Sequence, residues 1–251
     1  MLCLVIAAHP DDEVLGCGGT IARLAKEGHN VCVAILGEGI TSRRARRNPA
    51  ADLLALGRLR RSARKAAAIL GTEEPTLLDF PDNRFDTVPF LDIVKAIERV
   101  KDRLRPSTIY THYWGDLNID HRLTAQAVIT ASRPLSGESV RRILAFEVPS
   151  STEWAPPAPT SWFAPNVYTD IAGTFQDKIA AMAAYRSEVR DYPHPRSLEA
   201  IHVQTQYRGM QAGLEHAEAF VLIREILSPT SRRPRARQTS RRKRAETSEG
   251  S

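Results

Sequence analysis

Short apolar runs alternate with longer amphipathic stretches through the first half of the chain. Four of these runs predict buried strands: CLVIAAH (3–9), NVCVAIL (30–36), PTLLDF (75–80) and STIYTH (107–112). Apolar residues spaced three and four positions apart predict helices over 18–27, 50–70, 88–104 and 121–132. Because strand and helix alternate, we predict an α/β, Rossmann-like fold with a mostly parallel sheet flanked by helices.

The pattern becomes looser after residue 133. Further strands are predicted over 141–149 and 163–170, and further helices over 173–187 and 197–213. The segment 217–227 has the pattern of either a strand or a helix. A chain of 251 residues can bury one substantial core, so we expect a single domain.

Features associated with export or membrane insertion are missing from the sequence. No apolar run approaches the roughly 18–20 residues that span a bilayer, and the chain enters its first strand without a basic leader. Cys3, Cys17 and Cys32 are odd in number and widely spaced, which is typical of reduced thiols. We therefore expect a cytoplasmic protein with no membrane span.

The net charge of +6 is concentrated at the C-terminus. Residues 228–251 contain eight of the 35 Lys and Arg residues but only two of the 29 Asp and Glu residues, so residues 1–227 are neutral overall. This segment is rich in Ser, Thr and Arg without apolar periodicity, which predicts a disordered basic tail. A solvated tail is favoured over one attracted to nucleic acid or anionic lipid, and no specific nucleic-acid partner is expected.

The first strand leads into a cluster of one histidine and three acidic residues, in the stretch LVIAAHPDDEVLGCGG (4–19). A capped helix start would explain one carboxylate near the helix dipole, but not three beside a histidine. A dinucleotide fingerprint needs G-x-G-x-x-G, which GCGGT does not supply. The remaining interpretation is a metal site, in which a histidine and a carboxylate turn toward one cation.

A second cluster follows the fourth predicted strand, in THYWGDLNIDHR (111–122). It offers His112, Asp116, Asn118, Asp120 and His121. Ligands of parallel α/β sheets bind at the carboxyl ends of strands, where His9 and His112 are both predicted to lie. Two such clusters at neighbouring strand ends favour a shared metal site over separate capping or core residues.

The motifs AAHPDDEVLGCGGT and GDLNIDHR together resemble the PIG-L/LmbE superfamily of zinc-dependent N-deacetylases. The resemblance extends from residue 3 to about residue 227, through FPDNRFDTVP, YRSEV, PHPRS and RGMQAGLEHAEAFVLIR. It implies that His9, Asp12 and His121 are the Zn²⁺ ligands and that Asp11 is the general base. Glu13 is left with two alternatives, orienting a ligand or capping the following helix.

The chain departs from that superfamily at Asn118, where many relatives have a histidine that helps to stabilise the oxyanion. Asn118 can still donate a neutral hydrogen bond, and His112 or His194 are further candidate donors. By the same resemblance, Arg84 and Asp82 are expected to contact the substrate, and His112 is also expected to bind it. Arg84 is also compatible with a surface ion pair, and Arg196 and Glu218 with structural roles.

The sequence therefore predicts a zinc-dependent hydrolase that removes the acetyl group from an N-acetylated amino sugar. A non-catalytic carbohydrate-binding protein and a metal-dependent phosphohydrolase are the alternatives. Two histidine ligands favour zinc over magnesium, which prefers oxygen ligands. Because members of the superfamily often assemble, the resemblance also makes a homo-oligomer an expectation.

Overall fold

The computed structural model of the chain describes residues 1–43, 45–158 and 162–227. Within these ranges the strands are β1 (Leu2–Ala7), β2 (Asn30–Gly37), β3 (Thr76–Phe80), β4 (Thr108–His112), β5 (Arg142–Phe146), β6 (Val167–Asp170) and β7 (Ala217–Glu225). The helices are α1 (Asp12–Lys26), α2 (Leu53–Leu70), α3 (Phe90–Leu104), α4 (Ile119–Ala131), α5 (Phe175–Ala184) and α6 (Leu198–Met210).

The strands form one sheet in the order β3-β2-β1-β4-β5-β7-β6. The first five strands of this order are parallel, and β7 pairs antiparallel with both β5 and β6. The predicted single-domain α/β fold with a mostly parallel sheet is confirmed. The segment 217–227, which left strand and helix open, contains the antiparallel strand β7.

Helices cover both faces of the sheet. Alternate residues of β1 point to opposite sides: Val5 packs in a cluster that includes residues of α1, α2 and α5, and Ile6 packs in a cluster that includes residues of α3 and α4. Both side chains are almost completely buried. This two-sided burial explains why the central strands are apolar throughout rather than alternating.

Helix α1 begins at Asp12, earlier than the predicted start at residue 18, whereas the other helices begin and end within three residues of prediction. The backbone of α1 is non-helical at Cys17 (φ −150°, ψ 25°). Beyond this break, the Glu218 carboxylate accepts the backbone N–H groups of Gly19 and Thr20 at 2.9 and 2.7 Å. Glu218 therefore has a structural role, supporting the second half of α1.

The glycines of GCGGT serve packing. A Cβ atom on Gly16 would lie 2.2 Å from the Phe146 ring, and one on Gly19 would lie 2.7 Å from Ile171. Only glycine allows α1 to approach the sheet and its flanking segment this closely. This accounts for the glycine-rich stretch without a dinucleotide.

No helix in the described ranges has both the length and the apolar character needed to cross a membrane. The three cysteines form no disulfide, and Cys3 and Cys17 are buried. The predicted basic tail, 228–251, lies outside the described residues.

Candidate functional site

The two motifs meet between β1 and β4, where the strand order of the sheet reverses. Strands β1 and β4 are parallel neighbours, and the chain leaves them toward opposite sides of the sheet. His9 lies two residues beyond β1, and His112 is the last residue of β4. Asp12 begins α1, and His121 lies in the first turn of α4. This is the switch point at which open α/β sheets bind ligands.

Asp12 lies at the centre of the cluster. Its Oδ2 atom is 3.4 Å from Nδ1 of His9 and 3.3 Å from Nε2 of His121. One ligand atom from each of the three residues lies within 4.8 Å of the other two, and all three residues are buried. Two imidazole nitrogens and one carboxylate oxygen form a donor set that suits Zn²⁺ and leaves room for a further ligand.

The hydrogen bonding of this group favours a cation at its centre. Oδ1 of Asp12 and Nε2 of His121 are buried, with no hydrogen-bond partner among the described residues. Buried polar atoms are normally satisfied, so these orphaned atoms fit metal ligands. The hydrogen bonding of these residues therefore fits the metal site that the sequence motifs predict.

Charge around Asp12 also favours binding of a cation. Burial opposes ionisation of Asp12, but the surrounding histidines outweigh burial and hold its pKa well below the usual range. Burial likewise opposes protonation of His121, but Asp12 and Asp116 raise its pKa to about 9. The carboxylates of Asp12 and Asp116 therefore favour positive charge at this position.

Asp116 orients His121 from behind. Its Oδ1 atom is 3.2 Å from Nδ1 of His121. Its carboxylate also accepts hydrogen bonds from the hydroxyls of Ser151 and Thr152, the latter at 2.6 Å. Despite burial, these contacts lower the pKa of Asp116 to about 2. Carboxylate support of this kind fixes the ring orientation of a ligating histidine.

His112 lies beneath the cluster rather than at its surface. It is fully buried, and its Nε2 atom accepts the backbone N–H of Ala8 at 2.8 Å. Its ring stacks on that of His121 with centroids 4.0 Å apart. Burial lowers the pKa of His112 well below its usual value, which agrees with a neutral ring. The structure does not bring His112, predicted to bind substrate, into contact with the cleft.

A second group of potential ligands shares His9. Nε2 of His9 is 2.9 Å from Oδ2 of Asp120 and 3.4 Å from Oδ1 of Asp82. Asp120 also accepts the backbone N–H of Phe85 at 2.9 Å, which ties α4 to the loop after β3. Burial alone would lower the pKa of His9, but hydrogen bonding to Asp12 and Asp120 raises it well above the usual value.

Asp11 adopts an uncommon backbone conformation, with φ at 105°. Such strain in a non-glycine residue is concentrated at functional sites. Its carboxylate is buried and accepts a hydrogen bond from Nη1 of Arg196 at 3.0 Å. Burial raises the pKa of Asp11 well above its usual value, while Arg196 opposes this rise. A carboxyl group with a raised pKa is suited to accept and return protons near neutrality.

Glu13 holds the Asp11 backbone in place. Its Oε2 atom accepts the Asp11 N–H at 3.1 Å, and its Oε1 atom accepts the Tyr185 hydroxyl at 2.6 Å. Burial raises the pKa of Glu13 to about 7. Because Asp11 is the N-cap residue of α1 and not one of the predicted ligands, these contacts favour the capping alternative for Glu13.

The cleft beside the cluster has a volume of about 180 Å³. Its lining includes His9, Asp11, Asp82, Asn118 and Arg196. Further lining residues are Pro10, Gly39, Ser42, Arg43, Asn83, Glu188 and Arg190.

Five predicted site residues are not part of this lining: Asp12, His112 and His121, which are buried in the cluster, and Arg84 and His194. Arg84 is partly buried and begins a short 3₁₀ turn after Asn83. Nδ1 of His194 accepts the backbone N–H of Arg196 at 3.0 Å. His194 therefore supports the loop that carries Arg196, and its predicted catalytic contact remains a prediction, as does substrate contact by Arg84.

Asn118 caps α4 and also faces the cleft. Its Oδ1 atom accepts the backbone N–H of Asp120 at 2.8 Å, and its Nδ2 atom donates to Oδ1 of Asn83 at 2.9 Å. The capping bond fixes which side of the amide carries the donor. One of the two Nδ2 hydrogens remains for another acceptor.

The sequence motifs alone did not assign roles to several residues of the site. Asp116 and Asp120 belong to the second sequence cluster, and only their spacing from His121 indicates that they are part of the site. Arg196 contacts Asp11 across 185 positions of sequence, and Tyr185 contacts Glu13 across 172. No local pattern identifies such partners.

Known proteins with similar sequences include several deacetylases. A family model described as PIG-L: GlcNAc-PI de-N-acetylase matches residues 4–132, just over half of the chain. The uncharacterized deacetylase YaiS of Escherichia coli (strain K12) is 30% identical over 190 residues, 73% of this chain and 90% of that protein. The probable N-acetyl-alpha-D-glucosaminyl L-malate deacetylase 2 of Bacillus cereus is 29% identical over 189 residues, 74% of this chain and 82% of that protein.

A solved structure extends the similarity to the fold. The conserved protein TT1542 from Thermus thermophilus is 28% identical and superposes with a TM-score of 0.68, over 92% of this chain and 99% of that one. The family match spans both motifs of the site, including His9, Asp12 and His121. The chain therefore belongs to the PIG-L family, as the two motifs predicted.

Proposed function

We propose that this protein is a zinc-dependent hydrolase that removes the acetyl group from an N-acetylated amino sugar. The observation that carries the proposal is the buried group of His9, Asp12 and His121, with orphaned ligand atoms, beside Asp11 in an open cleft. Membership of the PIG-L family and similarity to a probable sugar deacetylase support the same reaction. Zinc held by the three side chains would act as a Lewis acid, polarising the acetyl carbonyl and making a water molecule more acidic.

Asp11 is the general base in this mechanism. Its carboxylate faces the cleft next to the metal ligands and takes a proton from the attacking water. The protonated Asp11 then returns the proton to the amide nitrogen, which is too poor a leaving group without it. Glu13 holds the backbone of Asp11, so the carboxylate is positioned before substrate binds.

Asn118 donates a hydrogen bond to the developing oxyanion. Of the three predicted donors, it is the one that lines the cleft. Its second Nδ2 hydrogen is not needed for the bond to Asn83. A neutral amide gives less electrostatic stabilisation than an imidazolium would, so more of the stabilisation falls to the metal.

Asp82 and its neighbours bind the hydroxyls of the sugar. Asp82 accepts hydrogen bonds from the Ser42 backbone and hydroxyl at 3.0 and 2.5 Å. Ser42, Asp82 and Asn83 all line the cleft, so they present several donors and acceptors along one wall. This polar wall suits a carbohydrate.

Acetate release tests the proposal. The purified chain is incubated with a panel of N-acetylated sugars, with and without added Zn²⁺, and Asp11→Asn serves as the inactive control. Zinc-stimulated release by the wild-type chain and loss in Asp11→Asn are expected. Sugar binding without acetate release would instead indicate a non-catalytic carbohydrate-binding protein. Mg²⁺-dependent phosphate release would indicate a phosphohydrolase.

A further inference from the structure

Helix α2 carries two rows of basic residues, and one row is neutralised. Arg60 donates to the carboxylate of Asp79 on β3, and Arg64 donates to that of Glu74 just before β3. These exposed ion pairs lie one helical turn apart. The acidic partners account for the charge of this row.

The other row has no such partners. Arg58, Arg61 and Lys65 follow the spacing of one helix face, and they are exposed. Together with Arg186, which follows α5, they line a groove of about 490 Å³. Within the part of the chain that the structure describes, none of the four makes a hydrogen bond or ion pair, and no acidic side chain lines the groove.

Four unneutralised cations around one concavity are not explained by packing. Like charges on neighbouring helical turns destabilise a helix. A concave surface of one sign concentrates counter-ions of the other sign. By contrast, Arg60 and Arg64 on the same helix are each paired with a carboxylate.

The groove and the catalytic cleft share one lining residue. Arg43 lines both, and its guanidinium is fixed by Glu188 through bonds of 2.8 and 2.7 Å. The cleft, at about 180 Å³, is smaller than the volume of roughly 300–1,000 Å³ that is typical of ligand pockets. A ligand larger than one sugar needs binding surface beyond the cleft, and the groove borders the cleft at Arg43.

We propose that the groove is an anion subsite that binds a phosphate group carried by the same substrate whose acetamido group reaches Asp11. Arg58, Arg61, Lys65 and Arg186 are its specificity-determining residues. The position of the acetamido group rests on the proposed deacetylase function. Binding of the phosphate group rests only on the basic residues of the groove. Guanidinium groups suit this ligand because they donate two hydrogen bonds to one phosphate.

Two double variants of the full, zinc-loaded chain test the proposal. Arg58→Gln/Arg61→Gln removes two unpaired charges from the groove, and Arg60→Gln/Arg64→Gln removes two paired charges from the same helix. Inorganic phosphate is the first probe, titrated calorimetrically. Phosphate binding at the metal is common to both variants, so their difference reports the groove. We expect the groove variant to bind phosphate about tenfold or more weakly than the matched control.

The second measurement uses N-acetylglucosamine 1-phosphate and uncharged N-acetylglucosamine. The ratio of their kcat/KM values should fall about tenfold or more in the groove variant and stay at the wild-type value in the control. Equal phosphate binding by the two variants would overturn the subsite. Weakened phosphate binding with an unchanged ratio would show a site for free phosphate and overturn the substrate assignment. If neither sugar releases acetate, the deacetylase function fails for these sugars, while the difference in phosphate binding still decides whether the groove binds phosphate.

Discussion

Arg196 donates a hydrogen bond from Nη1 to Oδ2 of Asp11 at 3.0 Å, across 185 positions of sequence. The Asp11 carboxylate is buried, whereas the Arg196 side chain is 24% exposed. Burial favours the protonated form of Asp11, and the guanidinium favours the ionised form. Arg196 therefore determines how far the pH must rise before Asp11 can act as a base.

Replacing Arg196 should shift the pH profile of the enzyme. In Arg196→Gln the cation that lowers the Asp11 pKa is gone, so this pKa rises and Asp11 remains protonated to a higher pH. The acidic limb of the kcat/KM profile should move to higher pH, while the activity well above that limb is less affected. Arg190→Gln is the control, since Arg190 lines the same cleft but donates to backbone carbonyls. An acidic limb that stays in place in Arg196→Gln would exclude this role.

Asp116 should contribute to metal affinity without being a ligand. Asp116→Asn weakens the support of Nδ1 of His121, and loss of such a partner typically costs about 10- to 100-fold in metal affinity. Thr152→Val, which removes one hydrogen bond to Asp116, should have a smaller effect in the same direction. Zinc dissociation constants from competition with a chelator measure both. Wild-type affinity in Asp116→Asn would show that His121 is held by packing alone.

The predicted role of His121 as a metal ligand can be tested against a second histidine, His194, as control. His121→Ala should lose bound zinc while remaining folded, because it removes one of three ligands from an otherwise intact site. His194→Ala should keep its zinc, since His194 bonds to the Arg196 backbone outside the cleft lining. Metal analysis and circular dichroism of both variants provide the readout. Full zinc occupancy in His121→Ala would remove this histidine from the ligand set.

Residues 228–251 should be dispensable for catalysis. They contain the whole net charge of the chain without apolar periodicity, so we expect no contribution from them to the core. Truncation after Leu227 should leave kcat and the melting temperature nearly unchanged. A large loss of either quantity would show that this segment packs against residues 1–227.

The parts of the site that sequence predicts are those that topology brings together. His9 and His121 follow neighbouring parallel strands, so their proximity follows from the strand order and from the switch point. Asp12 follows from its place three residues after His9. The local motif is sufficient because each of these residues lies at or soon after the end of a strand.

The residues that sequence could not assign act through long-range contacts. Glu218 supports α1 and Tyr185 supports Glu13, at sequence separations of 198 and 172. The early start of α1 has a local cause, because Glu13 holds the unusual Asp11 backbone from which the helix begins. Arg84 is the opposite case. The resemblance predicts that it contacts the substrate, but Arg84 is not part of the cleft lining.

In the proposed mechanism two adjacent carboxylates do different chemistry: Asp11 accepts a proton and Asp12 binds the metal. The structure already separates them, because Asp11 pairs with Arg196 while Oδ2 of Asp12 lies 3.3 Å from Nε2 of His121. Asparagine preserves the size of either side chain but removes its negative charge. It also tolerates the positive φ of Asp11 better than most residues do.

The most direct measurement is zinc content and kcat for Asp11→Asn and Asp12→Asn, each with and without excess zinc. Asp11→Asn should keep its zinc and its KM while kcat falls by about 10²–10⁴-fold, the usual contribution of a general base. Asp12→Asn should lose zinc affinity and regain part of its activity in excess metal. A zinc-deficient, zinc-rescued Asp11→Asn beside a metal-retaining Asp12→Asn would reverse the two roles, and near-normal kcat in Asp11→Asn would contradict the mechanism.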